Sequence, residues 1–280
     1  MRIVIGIDIG GSTTKIVGFR SDNTKQTLIE PMFVRATDAI TSVYGAFGKF
    51  TMENDIPLSK IDRVLMTGVG SSFIDKPIYS LNCEKISEFE SVGRGGLYLS
   101  ELDDAIVVSM GTGTALIHAK RDGENIKTEY LGGTGVGGGT LLGLTKKMTG
   151  IDTIEHIEDI CKSGDLHNID LKVGDISKNA KYTGVNEDLT ASNFGKLSDM
   201  ASNSDIALGV ANMVAETIAM MAVFTARGHG IKNVVLIGNL TTIKPVRDVF
   251  ENLTSFGINF IIPENASFGT VIGAALYTDI

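Results

Sequence analysis

The sequence predicts an α/β protein built from two similar lobes that face each other, and three observations carry that expectation. Runs of alternating apolar residues are punctuated by glycine clusters, as in strands ending at tight turns. The strand, glycine turn, strand plan of residues 2–19 returns at residues 105–119, AIVVSMGTGTALIHA, about a hundred residues later. After each copy comes a helical stretch and then a strand that ends in glycine, DRVLMTGVG in the first half and NVVLIGNL in the second.

In order along the chain, residues 5–19, IGIDIGGSTTKIVGF, form the first hairpin, and Asp8 sits just before its glycines. Aspartate is depleted in strands and costly to bury alone, so Asp8 needs a partner. ATDAITSVYGAFGKFTMEND carries apolar residues at helical spacing. In the second half, aligning Gly111 with Gly10 places Ser109 opposite Asp8. A third glycine turn, GGTGVGGGT (132–140), precedes a helix expected over TLLGLTKKMTG. Residues 151–203 are more polar, with short helical pieces. A long helix over Asp205 to Arg227 is closed by Gly228 and Gly230. A strand-like NFIIPEN and a helix over FGTVIGAALYT finish the chain, and with no linker or low-complexity stretch between them the lobes share an interface.

With 280 residues, 43% of them hydrophobic, the chain can fill one large core or two medium ones. Its most apolar segment is interrupted by Asn212 and Glu216, and the N-terminus enters a strand pattern directly, so a cytoplasmic protein with no membrane span is expected. A net charge of -8 disfavours a nucleic-acid groove. Cys83 and Cys161 are expected as reduced packing residues. The scattered His118, His156, His167 and His229 lack metal-site spacing, so no protein metal cage is expected.

Glycine turns let backbone N–H groups converge on phosphate, and the candidates are Gly10, Gly11, Ser12, Thr13 and Lys15 in the first turn and Gly111, Thr112, Gly113 and Thr114 in the second. Taken singly, each turn serves a plain hairpin equally well. No Walker pattern occurs. Gly133, Gly135 and Gly138 satisfy G-x-G-x-x-G, but GENIKTEYL before them is a poor buried strand, and Asp152 follows a helix, which argues against a dinucleotide fold. Two hairpins on opposed lobes can grip a triphosphate from both sides, and Asp8 then finds its partner in the Mg2+ that accompanies ATP. Lys15 either adds charge at the phosphates or leaves its strand as a solvated lysine.

These stretches, with EFES, LKVGDI, LTASNFGK and ENASFGTVIGAAL, resemble the superfamily of sugar kinases, actin and heat-shock ATPases, and within it the type II pantothenate kinases, nearly end to end. The resemblance implies duplicated ribonuclease H-like, actin-like ATPase lobes around an ATP cleft: residues 1–104 with a returning C-terminal helix of about 266–280, and residues 105–265 carrying the long helix. It implies transfer of the ATP γ-phosphate to the primary hydroxyl of pantothenate, in a homodimer. Asp8 would orient Mg2+ through water, and Gly10, Gly11 and Lys15 would hold the phosphates opposite Gly111 and Gly113. Gly135, Gly137 and Gly138 would pack near the nucleoside, and Glu88 of EFES would be the catalytic base. Read without the family, Glu88 is an acid at a helix start that complements the dipole. Two departures fall on the acceptor side: Tyr130 stands where the family carries an arginine that positions pantothenate, and Ala115 where it tends to have serine. Arg94, where the family usually has an uncharged residue, is expected to supply the missing cation. Two alternatives remain: a kinase for another small hydroxyl metabolite, and an ATP-driven activator like those of dehydratases, whose N-terminus is also similar.

Overall fold

The computed structural model describes residues 2–11, 13–21, 26–35, 38–177 and 186–277. Strands β1 (Arg2–Ile9), β2 (Thr13–Ser21), β3 (Gln26–Arg35), β4 (Ile61–Thr67) and β5 (Cys83–Lys85) make a sheet of order β3-β2-β1-β4-β5. Strands β6 (Asp104–Met110), β7 (Thr114–Asp122), β8 (Asn125–Thr134), β11 (Asn233–Ile237) and β12 (Asn259–Ile261) make a second sheet of order β12-β11-β6-β7-β8. Read from the opposite edge, the second order repeats the first. In both sheets a hairpin-linked antiparallel trio is followed by a strand parallel to the first. The strands β9 (Leu171–Lys172) and β10 (Thr190–Ser192) pair separately.

The sheets are covered by helices α1 (Ala39–Glu53), α2 (Glu88–Ser100), α3 (Gly138–Thr149), α4 (Ile154–Cys161), α5 (Val173–Ile176), α6 (Asn203–Gly228), α7 (Lys244–Asn252) and α8 (Gly269–Ala275). One face of each sheet meets its own crossover helix. Ile3, Ile5, Ile7 and Ile9 pack with Val43, Phe47 and Phe50 of α1, and Ile106, Val108 and Met110 pack with the buried stripe of α6. The other faces are covered by exchange. Helix α2 follows the first sheet yet packs Val92 and Leu97 on Val107, Ile117, Ala119 and Val235 of the second. Helix α8 follows the second sheet yet packs Val271, Ile272 and Ala275 on Val17 and Phe19 of the first. The two exchanged helices touch at Gly95 and Gly273, where an added Cβ would overlap backbone of the facing helix. This exchange joins the lobes and brings the N-terminal ends of α2 and α8 to the cleft.

Several local expectations shift. The segment read as one glycine turn, 132–140, is the end of edge strand β8, a short turn and the start of α3 at Gly138, so the helix begins inside the glycine run. GENIKTEYL is indeed not a buried strand: it supplies most of β8, none of whose residues is fully buried. Among the described residues only α6 is long and apolar enough to cross a membrane, and 61% of that stretch is buried inside the protein, as in a core helix.

Candidate active site

The strand ends and hairpin turns of both sheets meet at one cleft. In the first lobe Asp8 pairs with Lys15 across β1 and β2, both on the α8 face. Gly68, next after β4, has φ of +84°, and a Cβ there would overlap the Asp8 carboxylate and the Ile9 carbonyl. Gly238 repeats this after β11, with φ of +100° and a would-be Cβ 2.6 Å from the Met110 carbonyl oxygen. Glycine is needed at both positions because an L side chain there meets backbone in a left-handed conformation.

Lys15 is not solvated. It is 8% exposed, its Nζ donates to the Ser267 carbonyl just before α8, and it lies 5.9 Å from the Phe268 ring centre. That settles one half of the choice left by the sequence: the lysine is held inside the cleft. Beside it, Ala266 accepts a hydrogen bond from Gly238 N at 2.9 Å, so the entry to α8 ties the first hairpin to the second lobe.

The electrostatics are unbalanced. Burial pushes the Asp8 carboxyl above the usual carboxylate range, and Lys15 only tempers that. Burial pushes Lys15 below the usual lysine range, opposed by Asp8. Glu88, the first residue of α2, is also raised, first by burial and then by the negative charge of Asp8. The two carboxylates therefore sense each other across the cleft although they come from different elements. A desolvated carboxylate with a second one nearby is the donor chemistry that suits a hard divalent cation carrying waters and phosphate oxygens.

The glycine turns divide into bracing and open groups. Gly10 N donates to Thr13 O at 2.9 Å and Gly111 N to Gly113 O at 3.0 Å, closing each hairpin. The N-terminus of α3 locks onto the second hairpin, with Gly138 N on Gly111 O at 2.8 Å and Gly139 N on Thr112 O at 2.9 Å. Thr114 is tied as well, its hydroxyl donating to Val136 O at 2.9 Å. Among the described residues, the N–H groups of Thr112, Gly113 and Gly135 have no such commitment. Gly11 is exposed at the first turn, Thr13 begins β2, Gly137 is packed against the second hairpin, and Ser12 lies outside the described residues.

Of the residues expected on the acceptor side, Tyr130 stacks on Phe89, the residue after Glu88, with ring centres 4.3 Å apart and planes 11° from parallel. Its hydroxyl reaches over the second hairpin: a Cβ built on Gly133 would stand 3.1 Å from it and 3.4 Å from the Ala115 Cα. Tyr130 is thus joined to the start of α2 through Phe89, next to Glu88, and to Gly133, the cross-strand partner of Ala115. Arg94 points elsewhere, its guanidinium 4.9 Å from the Tyr277 ring centre and its Nε buried without a hydrogen-bond partner among the described residues. Sequence reasoning missed Phe89, Gly68, Gly238 and Ser267. The two glycines left a signal, since both strand endings were legible as glycine turns.

A family model described as Fumble matches residues 49–261, well over half of the chain. The chain belongs to the Fumble family. Within it, the chain is 31% identical over 262 residues to the type II pantothenate kinase of Bacillus cereus strain ATCC 14579, covering 85% of this chain and 84% of that one. The type II pantothenate kinase of Staphylococcus saprophyticus is 32% identical over 246 residues, 84% of each chain. Among solved structures, this Fumble chain is similar to the activator of the 2-hydroxyisocaproyl-CoA dehydratase from Clostridium difficile with bound ADPNP, at a TM-score of 0.67 and 18% identity over 98% of this chain and 93% of that one. A ROK family glucokinase from Streptomyces griseus in complex with glucose and AMPPNP follows at 0.57 and 14%, over 98% of both chains. At such identities these likenesses show the fold, an actin-like ATPase and sugar-kinase fold of two α/β lobes.

Proposed function

We propose that this protein is a Mg2+- and ATP-dependent pantothenate kinase that phosphorylates the primary hydroxyl of pantothenate. The observation that carries the reading is the pair of equivalent glycine hairpins, one of them holding buried Asp8 beside Lys15, in a chain of the Fumble family, with Glu88 at the start of α2 near enough to Asp8 to feel its charge. Asp8 would hold Mg2+ through water, and the cation bound there supplies charge neutralisation for the β- and γ-phosphates. Lys15, kept in place by Ser267 and Phe268, adds a fixed positive charge on the same side. The N–H groups of Thr112, Gly113 and Gly135 are oriented by bracing bonds that need no rearrangement when phosphate arrives. Glu88 accepts the proton of the attacking hydroxyl, and its raised pKa brings a carboxylate nearer to the working range of a general base.

The activator alternative fits less well. Cys83 packs against the first-lobe core, Cys161 is buried in the second, and burial pushes the Cys161 thiol up to about 11, so neither offers a thiolate to a cluster. The reading also includes a cytoplasmic homodimer formed along α6, where Met213, Met220 and the 63% exposed Phe224 lie on one stripe. ADP release by the purified protein with ATP and Mg2+, with and without pantothenate, tests it. Pantothenate-dependent release that collapses in Glu88→Ala supports the reading; release indifferent to pantothenate removes it.

A further inference from the structure

The duplication gives every residue of one hairpin a counterpart in the other, and the two cleft ends can be compared position by position. Ser109 corresponds to Asp8, and its partner across β6 and β7, Ala115, corresponds to Lys15. Both pairs face the exchanged helix: Lys15 lies at the entry to α8, and Ala115 beside the N-terminal end of α2. In the first lobe a long cation fills this space. In the second the much smaller Ala115 stands there, and Ser109 and Ala115 stay partly exposed although the neighbouring Val107, Val108 and Ile117 are fully buried.

This partly exposed spot is the hollow of the second lobe. The stacked rings of Phe89 and Tyr130 close one side, each with a substantial exposed face, 40% and 50%. The Tyr130 hydroxyl lies against Gly133, the cross-strand partner of Ala115, and the Ser109 hydroxyl has no hydrogen-bond partner among the described residues. Glu88 stands at the rim, one residue from Phe89. Cations of the surrounding elements are committed elsewhere: Lys15 to Ser267, Arg94 to Tyr277, Lys120 to Asp104 and Lys127 to Asp122. Glu88, the chain neighbour of Phe89, adds a carboxylate beside the rings, which disfavours an anionic group placed against them.

We propose that Phe89 and Tyr130 are the specificity-determining wall of the acceptor site, and that this site grips the uncharged, aliphatic or amide-bearing body of an alcohol acceptor by ring contact and hydroxyl hydrogen bonds, with no counter-ion for a carboxylate. This rests on the kinase reading and deepens it. An acceptor in the hollow presents its hydroxyl to Glu88 while its apolar body lies on the ring faces. Neutral acceptors are thus used at least as well as their carboxylate forms.

The test is ADP release with ATP and Mg2+ over acid and amide pairs of small alcohols: pantothenate and its primary amide, and 4-hydroxybutyrate and its amide. For whichever acceptor turns over, Phe89→Ala and Tyr130→Ala raise its KM about tenfold, a typical loss for one removed apolar contact surface. The KM for ATP and the Tm stay near wild type, since both side chains are exposed. Tyr130→Phe keeps the stack and gives a smaller rise, and Tyr130→Arg shifts the acid-to-amide ratio of kcat/KM toward the acid. Wild-type acceptor KM in both alanine variants overturns the proposal, as does a wild-type enzyme that strongly prefers the acid. Turnover of the hydroxybutyramide alone, dependent on Phe89 and Tyr130, removes the pantothenate reading and leaves the wall standing. No turnover of any of the four overturns both.

Discussion

The hairpins of the two lobes share topology and register but not chemistry. In the first, Asp8 and Lys15 face each other, and both are displaced from their ordinary pKa values by burial. In the second, the matching pair is Ser109 and Ala115, and its turn is braced by the N-terminus of α3. Duplication kept the backbone that brings strand ends to a cleft and let the side chains diverge. In the function proposed above, the first hairpin brings charge to the phosphates, while the second joins uncharged N–H groups in its turn to a neutral flank at Ala115 for the acceptor.

The largest break in that division comes from Glu88, which stands where the charged and neutral sides meet. Glu88→Gln is expected to lower kcat by about 10²- to 10⁴-fold with little change in the KM for ATP. In the wild type a raised pKa places the acid limb of kcat/KM for the acceptor above the usual glutamate range, because the base must be ionised in the free enzyme and activity is lost as pH falls through that raised value. A pH profile of kcat/KM whose limb sits in the ordinary range would contradict the desolvated placement of this carboxylate within reach of the Asp8 charge.

Backbone equivalence is tested by Gly68→Ala and Gly238→Ala. Both glycines have left-handed φ and would-be Cβ atoms against the preceding hairpin, so each substitution should cost about 1–3 kcal/mol or more and lower Tm by several degrees. A clear loss at one and none at the other would show that the two lobes do not share this constraint.

A smaller contrast lies in the crossover helices. Asp205 in the first turn of α6 accepts from Ser202 N at 2.9 Å, Asp165 N at 2.7 Å and Asn168 Nδ2 at 3.3 Å, whereas Asp38 before α1 accepts from Thr41 N at 2.7 Å. These bonds hold the Asp205 carboxyl below its ordinary range, chiefly through the Asp165 amide. A depressed folded-state pKa gives stability that is present above the unfolded value and lost as pH falls through the folded one. Asp205→Asn should therefore cost about 1–2 kcal/mol near neutrality, with the gap to wild type closing in acid, measured by urea unfolding at several pH values. Asp38→Asn, which remains a good cap residue, should cost less.

The duplicated plan was legible because Gly10 and Gly111 align and both parallel strands end in glycine. Glu88 and Tyr130 were legible as family positions. The exchange of α2 and α8 was not: both helices present apolar and glycine faces, and nothing local says which sheet receives them. Lys15 was ambiguous because a lysine on a strand flank is commonly solvated, and only the Ser267 carbonyl, some 250 residues away, decides it. Phe89 escaped notice since its partner Tyr130 lies on a strand whose exposed pattern gave little reason to look for a stacked ring. Arg94 failed to join the acceptor residues because its side chain turns toward Tyr277.

The central claim, a charged first hairpin at the phosphates and a second hairpin whose turn offers uncharged N–H groups to phosphate while its neutral flank at Ala115 takes the acceptor, is tested most directly by measuring the KM for ATP and for the acceptor in Lys15→Met and Ala115→Lys side by side. Lys15→Met keeps the buried stem and removes the charge, and should raise the KM for ATP while sparing that of the acceptor. Ala115→Lys fills the hollow, and should raise the KM for the acceptor while sparing that of ATP. Both variants acting on the same substrate would contradict the division of labour between the lobes.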